Sequence, residues 1–320
     1  MEEAERLSVA VVGGDPLVVD ALGGHLEALG VRAAQVVLVA GSSEAAALDL
    51  DGDTALFRLS PERARLGKCD VVFLCAAAPD LARDLHAWAR GDNFWLFDLS
   101  DGVAEGPWVP PDAGSPTIRA AAPALSVPGS DAFCCAALLA AVEGFDPGPL
   151  QVHCFLPASD RGTAGVEELF RQSAAALNLQ KGPEAVFGRA LAFNLYPELR
   201  AEEAPFRAAL DGLLGRGVEA VRLCFRAPLF HARALSLLLP VSNPAAACRA
   251  AEAELRRRGF KISRGRVPPA PLDRGADEGV WARLAPRGDG FLWGWFVYDE
   301  LKSGRPAFAA RLLGALVGRG

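Results

Sequence analysis

The 320-residue chain has only four histidines, too scattered in sequence to suggest a metal site. It has no CxxC pair. Its seven cysteines, Cys69, Cys75, Cys134, Cys135, Cys154, Cys224 and Cys248, fall mostly inside apolar strand or helix patterns, and they read as reduced, buried thiols of a cytoplasmic compartment. There is no basic excess. Lys and Arg number 33 against 39 Asp and Glu, a net charge of −6, which argues against a nucleic-acid or anionic-membrane partner. No apolar run reaches transmembrane length; those at 136–142 and 235–241 are short and bounded by polar residues or Pro. The opening Met-Glu-Glu-Ala-Glu-Arg lacks the basic start of a signal peptide, so no leader is expected. Internal repeats and low-complexity tracts are missing too. What is present is 51% hydrophobic and 22% charged residues, the composition of a globular protein long enough for two domains.

Apolar β-runs at 8–12, 36–40, 70–75 and 94–98 alternate with helix patterns at 15–29 and 81–89. Such alternation predicts a parallel sheet covered on both faces. Residues 101–127 are rich in Pro, Gly and Ala and read as a linker ending in a short strand. Ser130 opens a helix and reads as its N-cap. The second half changes character. Strands are expected at 150–155, 218–226, 234–240 and 290–297, with helices at 163–177 and 244–258 and a closing helix at 306–317. This pattern predicts an α+β domain with a mixed or antiparallel sheet, one face of which, carrying Trp293 and Trp295, has no evident cover within the chain.

Several segments, in order and spacing, resemble the aspartate-semialdehyde dehydrogenase family over nearly the whole length. They are Leu96-Phe97-Asp98-Leu99-Ser100, Gly106-Pro107-Trp108-Val109-Pro110, the stretch from Phe187 to Pro197 containing Ala192-Phe193-Asn194, Arg226-Ala227-Pro228-Leu229, and Val297-Tyr298-Asp299-Glu300-Leu301-Lys302-Ser303-Gly304. The resemblance implies an α/β protein: a Rossmann-like parallel-sheet domain over 1–127, completed by a C-terminal helix at 304–320, and an α+β dimerisation domain over 128–303. It also implies an NADP-dependent reaction on an acyl phosphate through a cysteine thioester.

The chain departs from that family where the chemistry lies. In place of G-x-x-G-x-x-G stand Gly13-Gly14-Asp15-Pro16-Leu17-Val18-Val19; only the first glycine matches, Pro16 lacks an N–H, and Asp15 adds charge beside an anion site. Gly13 and Gly14 remain as a degraded cofactor-binding turn. Glu44 would repel an NADP 2′-phosphate. The nucleophile position falls on Ser130, whose hydroxyl needs a base that a thiol does not. Cys134 shares its helical face one turn on. The base position, five residues beyond Pro228, falls on Arg233, which is always protonated. His231, two residues earlier, would face the same side if the segment is a strand. The family's glutamine falls on Leu156 and its substrate-phosphate arginine on Ala104.

No catalytic set is intact, so the sequence points to a non-catalytic pseudoenzyme, a homodimeric or heterodimeric scaffold or subunit partner that binds no cofactor. Three rivals remain: an NAD(P)-dependent oxidoreductase acting on an aldehyde or acyl substrate, which would need NADP; a hydrolase-like activity using Ser130 with His231; and a small-molecule-binding module without chemistry.

Overall fold

The computed structural model describes residues 7–31, 36–39, 62–92, 94–100, 106–121, 123–199, 203–274 and 278–318. The chain divides into two compact units, Met1–Pro128 with Arg305–Gly320, and Gly129–Gly304.

The first unit runs β1 (Val9–Val12), α1 (Pro16–Ala28), β2 (Val36–Val39), α2 (Arg63–Leu66), β3 (Val71–Leu74), α3 (Pro79–Asp92), β4 (Trp95–Asp98), α4 (Ser115–Ala120) and β5 (Ala124–Ser126). Its sheet has the order β2-β1-β3-β4-β5, and every pairing is parallel. β1 and β3 are buried at all four positions, as strands covered on both faces must be. Phe73 and Phe97, partners across β3 and β4, stack with ring centroids 5.3 Å apart. α1 turns Val19, Leu22 and Leu26 inward, and α3 turns Ala82, Leu85, His86 and Ala89. The closing helix, Arg305–Leu316, is buried along most of its length and packs on α1 and α4. Arg119 of α4 donates to the carbonyl of Leu316 at 3.0 Å, a cation at a helix C-terminus. The expected linker at 101–127 therefore contains a helix, α4.

The second unit runs α5 (Ser130–Ala141), β6 (Leu150–Leu156), α6 (Gly162–Leu177), β7 (Tyr196–Pro197), α7 (Glu203–Leu214), β8 (Ala220–Arg226), β9 (Arg233–Pro240), α8 (Pro244–Arg257), β10 (Lys261–Ile262), α9 (Pro271–Arg274), β11 (Trp281–Arg287) and β12 (Phe291–Tyr298). Its sheet, β10-β11-β12-β9-β6-β8-β7, is mixed: β6/β8 and β10/β11 are parallel and the other pairs antiparallel. Burial alternates along β6, β8 and β9, with the inner face under α5, α7 and α8. On the outer face Trp293 and Trp295 stack 6.5 Å apart. These two rings are less bare than the sequence suggests. Trp295 donates to the Pro269 carbonyl at 2.7 Å and Trp293 to the Ser236 hydroxyl at 3.0 Å, and α9 lies against β12. Val221 and Leu223, each about half exposed, lie open on that face beside Phe155 and Phe225.

Two local expectations fail. Ser130 is not the N-cap of α5. Gly129 holds that position without a side-chain cap, and the Ser130 hydroxyl donates instead to the carbonyl of Ser303 at 3.0 Å. His231 is not on a strand with Arg233. β9 begins at Arg233, and Ala232 has φ +70°, so the turn there breaks the two-residue alternation on which the shared face depended.

Candidate functional site

In the first unit, Gly13 (φ +64°) and Gly14 (φ +110°) make the turn from β1 into α1. A side chain at Gly14 would meet Cβ of Cys75 at 2.8 Å, so the need for glycine comes from packing within the unit. The mouth of α1 is closed by the chain itself. Asp15 is its N-cap, and the carboxylate accepts from the Leu17 amide at 3.0 Å. The amides of Val18 and Val19 bond to the Asp15 carbonyl at 3.0 and 3.1 Å, and Pro16 has none to give. A dinucleotide phosphate uses amides at such a helix mouth, and here the Leu17 amide is taken by the Asp15 carboxylate and those of Val18 and Val19 by the Asp15 carbonyl. Glu44 lies outside the described residues.

Asp98, at the end of β4, accepts from the amide and hydroxyl of Ser100 at 2.8 and 2.7 Å and contacts His86 Nε2 at 2.8 Å. His86 and Asp98 are both buried. Cys75 nearby is no reactive thiol: burial, then the charge of Asp98, pushes it up to about 12. A groove of about 590 Å³ in this unit is lined by Asp70, Trp95, Arg119 and Leu316 among others. It lies at the amino ends of β3 and β4, whereas parallel sheets bind ligands at the carboxyl ends.

In the second unit a chain of ion pairs stands at the start of α5. Asp131, in the first helical turn and 4% exposed, accepts from Arg233 Nη1 at 3.2 and 3.1 Å, from the Tyr298 hydroxyl, and from the Cys154 thiol at 3.8 Å. Arg233 also donates to Asp160. Asp160 pairs with Arg226 at 2.9 Å, Arg226 with Glu198 at 3.0 Å, and Glu198 with Arg161 at 3.0 Å. Three guanidinium groups thus meet three carboxylates. Burial by itself would raise the Asp131 carboxyl, but the charges of Arg233 and Arg222 and the bonds from Tyr298 and Arg233 hold it below the usual carboxylate range. Burial likewise opposes the charge on Arg233, and Asp131 more than offsets it. At this helix mouth the favoured anion is a carboxylate already neutralised by arginine.

Glu300 gathers a second cluster. It accepts from the Ala232 amide at 2.9 Å and from the Ser159 hydroxyl, and His231 Nδ1 lies 3.6 Å away. The Glu300 carboxylate beside it raises the His231 pKa above its ordinary value, against the effect of burial. Burial raises Glu300, but its contacts with His231 and Ser159 bring it below the ordinary glutamate value. Gly304 closes this segment. A side chain there would meet the Glu300 carbonyl at 1.9 Å, which only glycine avoids.

The residues singled out by sequence are thus placed apart in role. The hydroxyl of Ser130 is given to a backbone carbonyl and not to His231, whose partner is Glu300. Cys134 has no exposed surface, and burial, then Cys135 and Asp131, raises its thiol well above the ordinary range. Leu156 is buried beside Arg226 in the β6/β8 register. Arg233 is an ion-pair hub. Ala104 lies outside the described residues. Sequence reasoning missed Asp131, Asp160 and Glu198 entirely. It also missed Glu168 and Gln172, buried on α6. Glu168 accepts from the amides of Val186 and Phe187 at 2.8 and 3.1 Å. Gln172 accepts from the amides of Leu191 and Ala192 at 2.6 and 3.0 Å and donates to the carbonyls of Pro183 and Arg189 at 2.7 and 3.2 Å. Together they shape the Phe187–Pro197 stretch.

No family model matches the chain. It is similar to a USG-1 protein homolog from Pseudomonas aeruginosa, 29% identical over 336 residues and 98% of each chain. Its fold is similar to aspartate semialdehyde dehydrogenase II from Vibrio cholerae, with TM-score 0.82 at 19% identity over 98% of this chain and 99% of that one. It is also similar to a probable aspartate-semialdehyde dehydrogenase from Pseudomonas aeruginosa, with TM-score 0.80 at 26% identity and the same coverage. Similarity over nearly the full length leads to one conclusion: the chain has the fold of the aspartate-semialdehyde dehydrogenases and resembles that family.

Proposed function

We propose that this chain is a non-catalytic relative of the aspartate-semialdehyde dehydrogenases, a dimeric scaffold or subunit partner in the cytoplasm. The observation that carries the reading is the closed ion-pair chain from Asp131 through Arg233, Asp160 and Arg226 to Glu198. A base position filled by a guanidinium, itself tied to two carboxylates, can neither take a proton nor offer a free charge to an anionic substrate. The hydroxyl of Ser130, donated to the Ser303 carbonyl, has no base within its own contacts. Asp15 capping α1 disfavours NADP for the electrostatic reason given above. The relative named as a USG-1 homolog is compatible with a role other than the dehydrogenase reaction. Seven free thiols support a reducing compartment.

The outer sheet face of the second unit, with Val221 and Leu223 open beside Phe155 and Phe225, is the proposed dimer surface. Two measurements test the reading. Purified protein with aspartate semialdehyde, phosphate and NADP is expected to show no turnover; turnover abolished by Ser130→Ala or Cys134→Ala would overturn the non-catalytic reading. Light scattering at micromolar concentration is expected to give twice the monomer mass, and a monomer with no partner recovered from cells would sink the scaffold.

A further inference from the structure

Cys154 of β6 and Cys224 of β8 are direct register partners in a parallel strand pair. Both are buried, and both lie on the helix-covered face of the sheet. Adjacent strands run about 4.8 Å apart, and a disulfide spans Cα atoms about 4.4–6.8 Å apart, so the backbone need not move to join them. The two sulfurs are close enough for each to perturb the ionisation of the other. Their surroundings differ in sign. Arg222, two residues before Cys224 on the same face, reaches the Cys224 sulfur and is held 4.8 Å over the Phe206 ring of α7. On the other side the Cys154 thiol faces the Asp131 carboxylate of α5 at 3.8 Å, with the charge of Arg233 beyond.

We propose that Cys154 and Cys224 form a redox pair, which a small peroxide converts into a disulfide joining β6 to β8, with Cys224 as the attacking thiolate. The Cys224 sulfur attacks one peroxide oxygen and the O–O bond breaks, giving a sulfenic acid and hydroxide. The Cys154 sulfur then displaces the sulfenic oxygen, which leaves as water with the Cys154 proton, and the proton that Cys224 gave up on ionising neutralises the hydroxide. Two thiols and one peroxide become one disulfide and two waters, the two electrons passing from sulfur to oxygen. The nearness of the Cys154 sulfur and the charge of Arg222 support this direction of attack, drawing Cys224 below the ordinary thiol value, while the neighbouring sulfur and burial raise Cys154. Other thiols are poorer nucleophiles, since burial pushes Cys134, Cys135 and Cys75 upward. Oxidation also withdraws the Cys154 S–H from Asp131, so the disulfide reports on the carboxylate that anchors the ion-pair chain.

The experiment treats folded, full-length protein with hydrogen peroxide, blocks remaining thiols, and reads intact mass and linked peptides. The expected result is a loss of two hydrogens with a single 154–224 crosslink, absent in Cys224→Ser and retained in Cys135→Ser. The rate in wild-type protein is expected to rise below the ordinary thiol pKa of about 8.5, following the depressed Cys224 thiolate. This profile needs no variant and decides the matter if Cys224→Ser fails to fold. A crosslink between other cysteines, oxidation confined to Cys69 or Cys248, or a rate that rises only near the ordinary thiol pKa of about 8.5 would each overturn the proposal.

Discussion

Replacing Asp131 by Asn tests whether the ion-pair chain is an energetic unit. The side chain of Asp131 is 6% exposed and that of Arg233 is 22% exposed. Removing one partner of a buried pair costs about 3–5 kcal/mol, because a charge is left in a poor environment. Arg233 keeps Asp160 and some solvent, so the lower end applies, and the Tyr298 hydroxyl and Cys154 thiol exchange a charged acceptor for a neutral one. The expected loss is about 3 kcal/mol, measured by urea unfolding at neutral pH. A double variant, Asp131→Leu with Arg233→Leu, removes both charges and leaves Asp160 its partner Arg226. It should cost less than the sum of its single variants by at least about 1 kcal/mol. The sign with pH follows. Asp131 is depressed in the folded chain, so its contribution is present above the unfolded value of about 3.9 and is lost as pH falls through the folded value. Asp131→Asn should flatten that acid limb. A loss below about 1 kcal/mol in Asp131→Asn, or strict additivity in the double variant, would refute the reasoning.

Other outcomes follow from the same structure. Gln172→Ala strands the Leu191 and Ala192 amides, at about 1–3 kcal/mol for each donor left buried and unpaired; chemical denaturation reads the loss, and an unchanged midpoint would place the Phe187–Pro197 stretch under other control. His231 is raised by Glu300, so its contribution is full below the unfolded value of about 6.5 and is lost as pH rises through the folded value; His231→Gln should remove that limb from a melting-temperature profile, and an identical profile would mean the contact adds nothing. NADP should leave the melting temperature unchanged, and calorimetry showing micromolar affinity would mean that the Asp15 cap yields to phosphate. Asp15→Ala should cost about 1 kcal/mol, the usual worth of a side-chain N-cap.

The sequence by itself determined the elements whose side chains repeat with the period of their backbone. Buried runs of four made β1 and β3 recognisable, alternation did the same for β6, β8, β9 and β12, and helical spacing for α1, α3, α5, α6 and α8. The parallel sheet and the mixed sheet follow from those patterns. Short or proline-interrupted elements were lost, α4 in a Pro-rich stretch and β11 with its Pro286 and four-residue neighbour α9, and α7 was missed although its apolar residues do repeat with helical spacing. The departures of the site were legible as residue types, since an arginine cannot be a base and a proline cannot donate an amide. What those residues do instead was decided by tertiary structure. Asp131 meets Arg233 across 102 positions of sequence, and Arg226 meets Asp160 from a neighbouring strand. Ser130 turned to a carbonyl 173 residues away, against its local preference for capping. Charge pairing is set by distance in space and by the water excluded around the pair, and neither quantity is written in the local spacing of a chain.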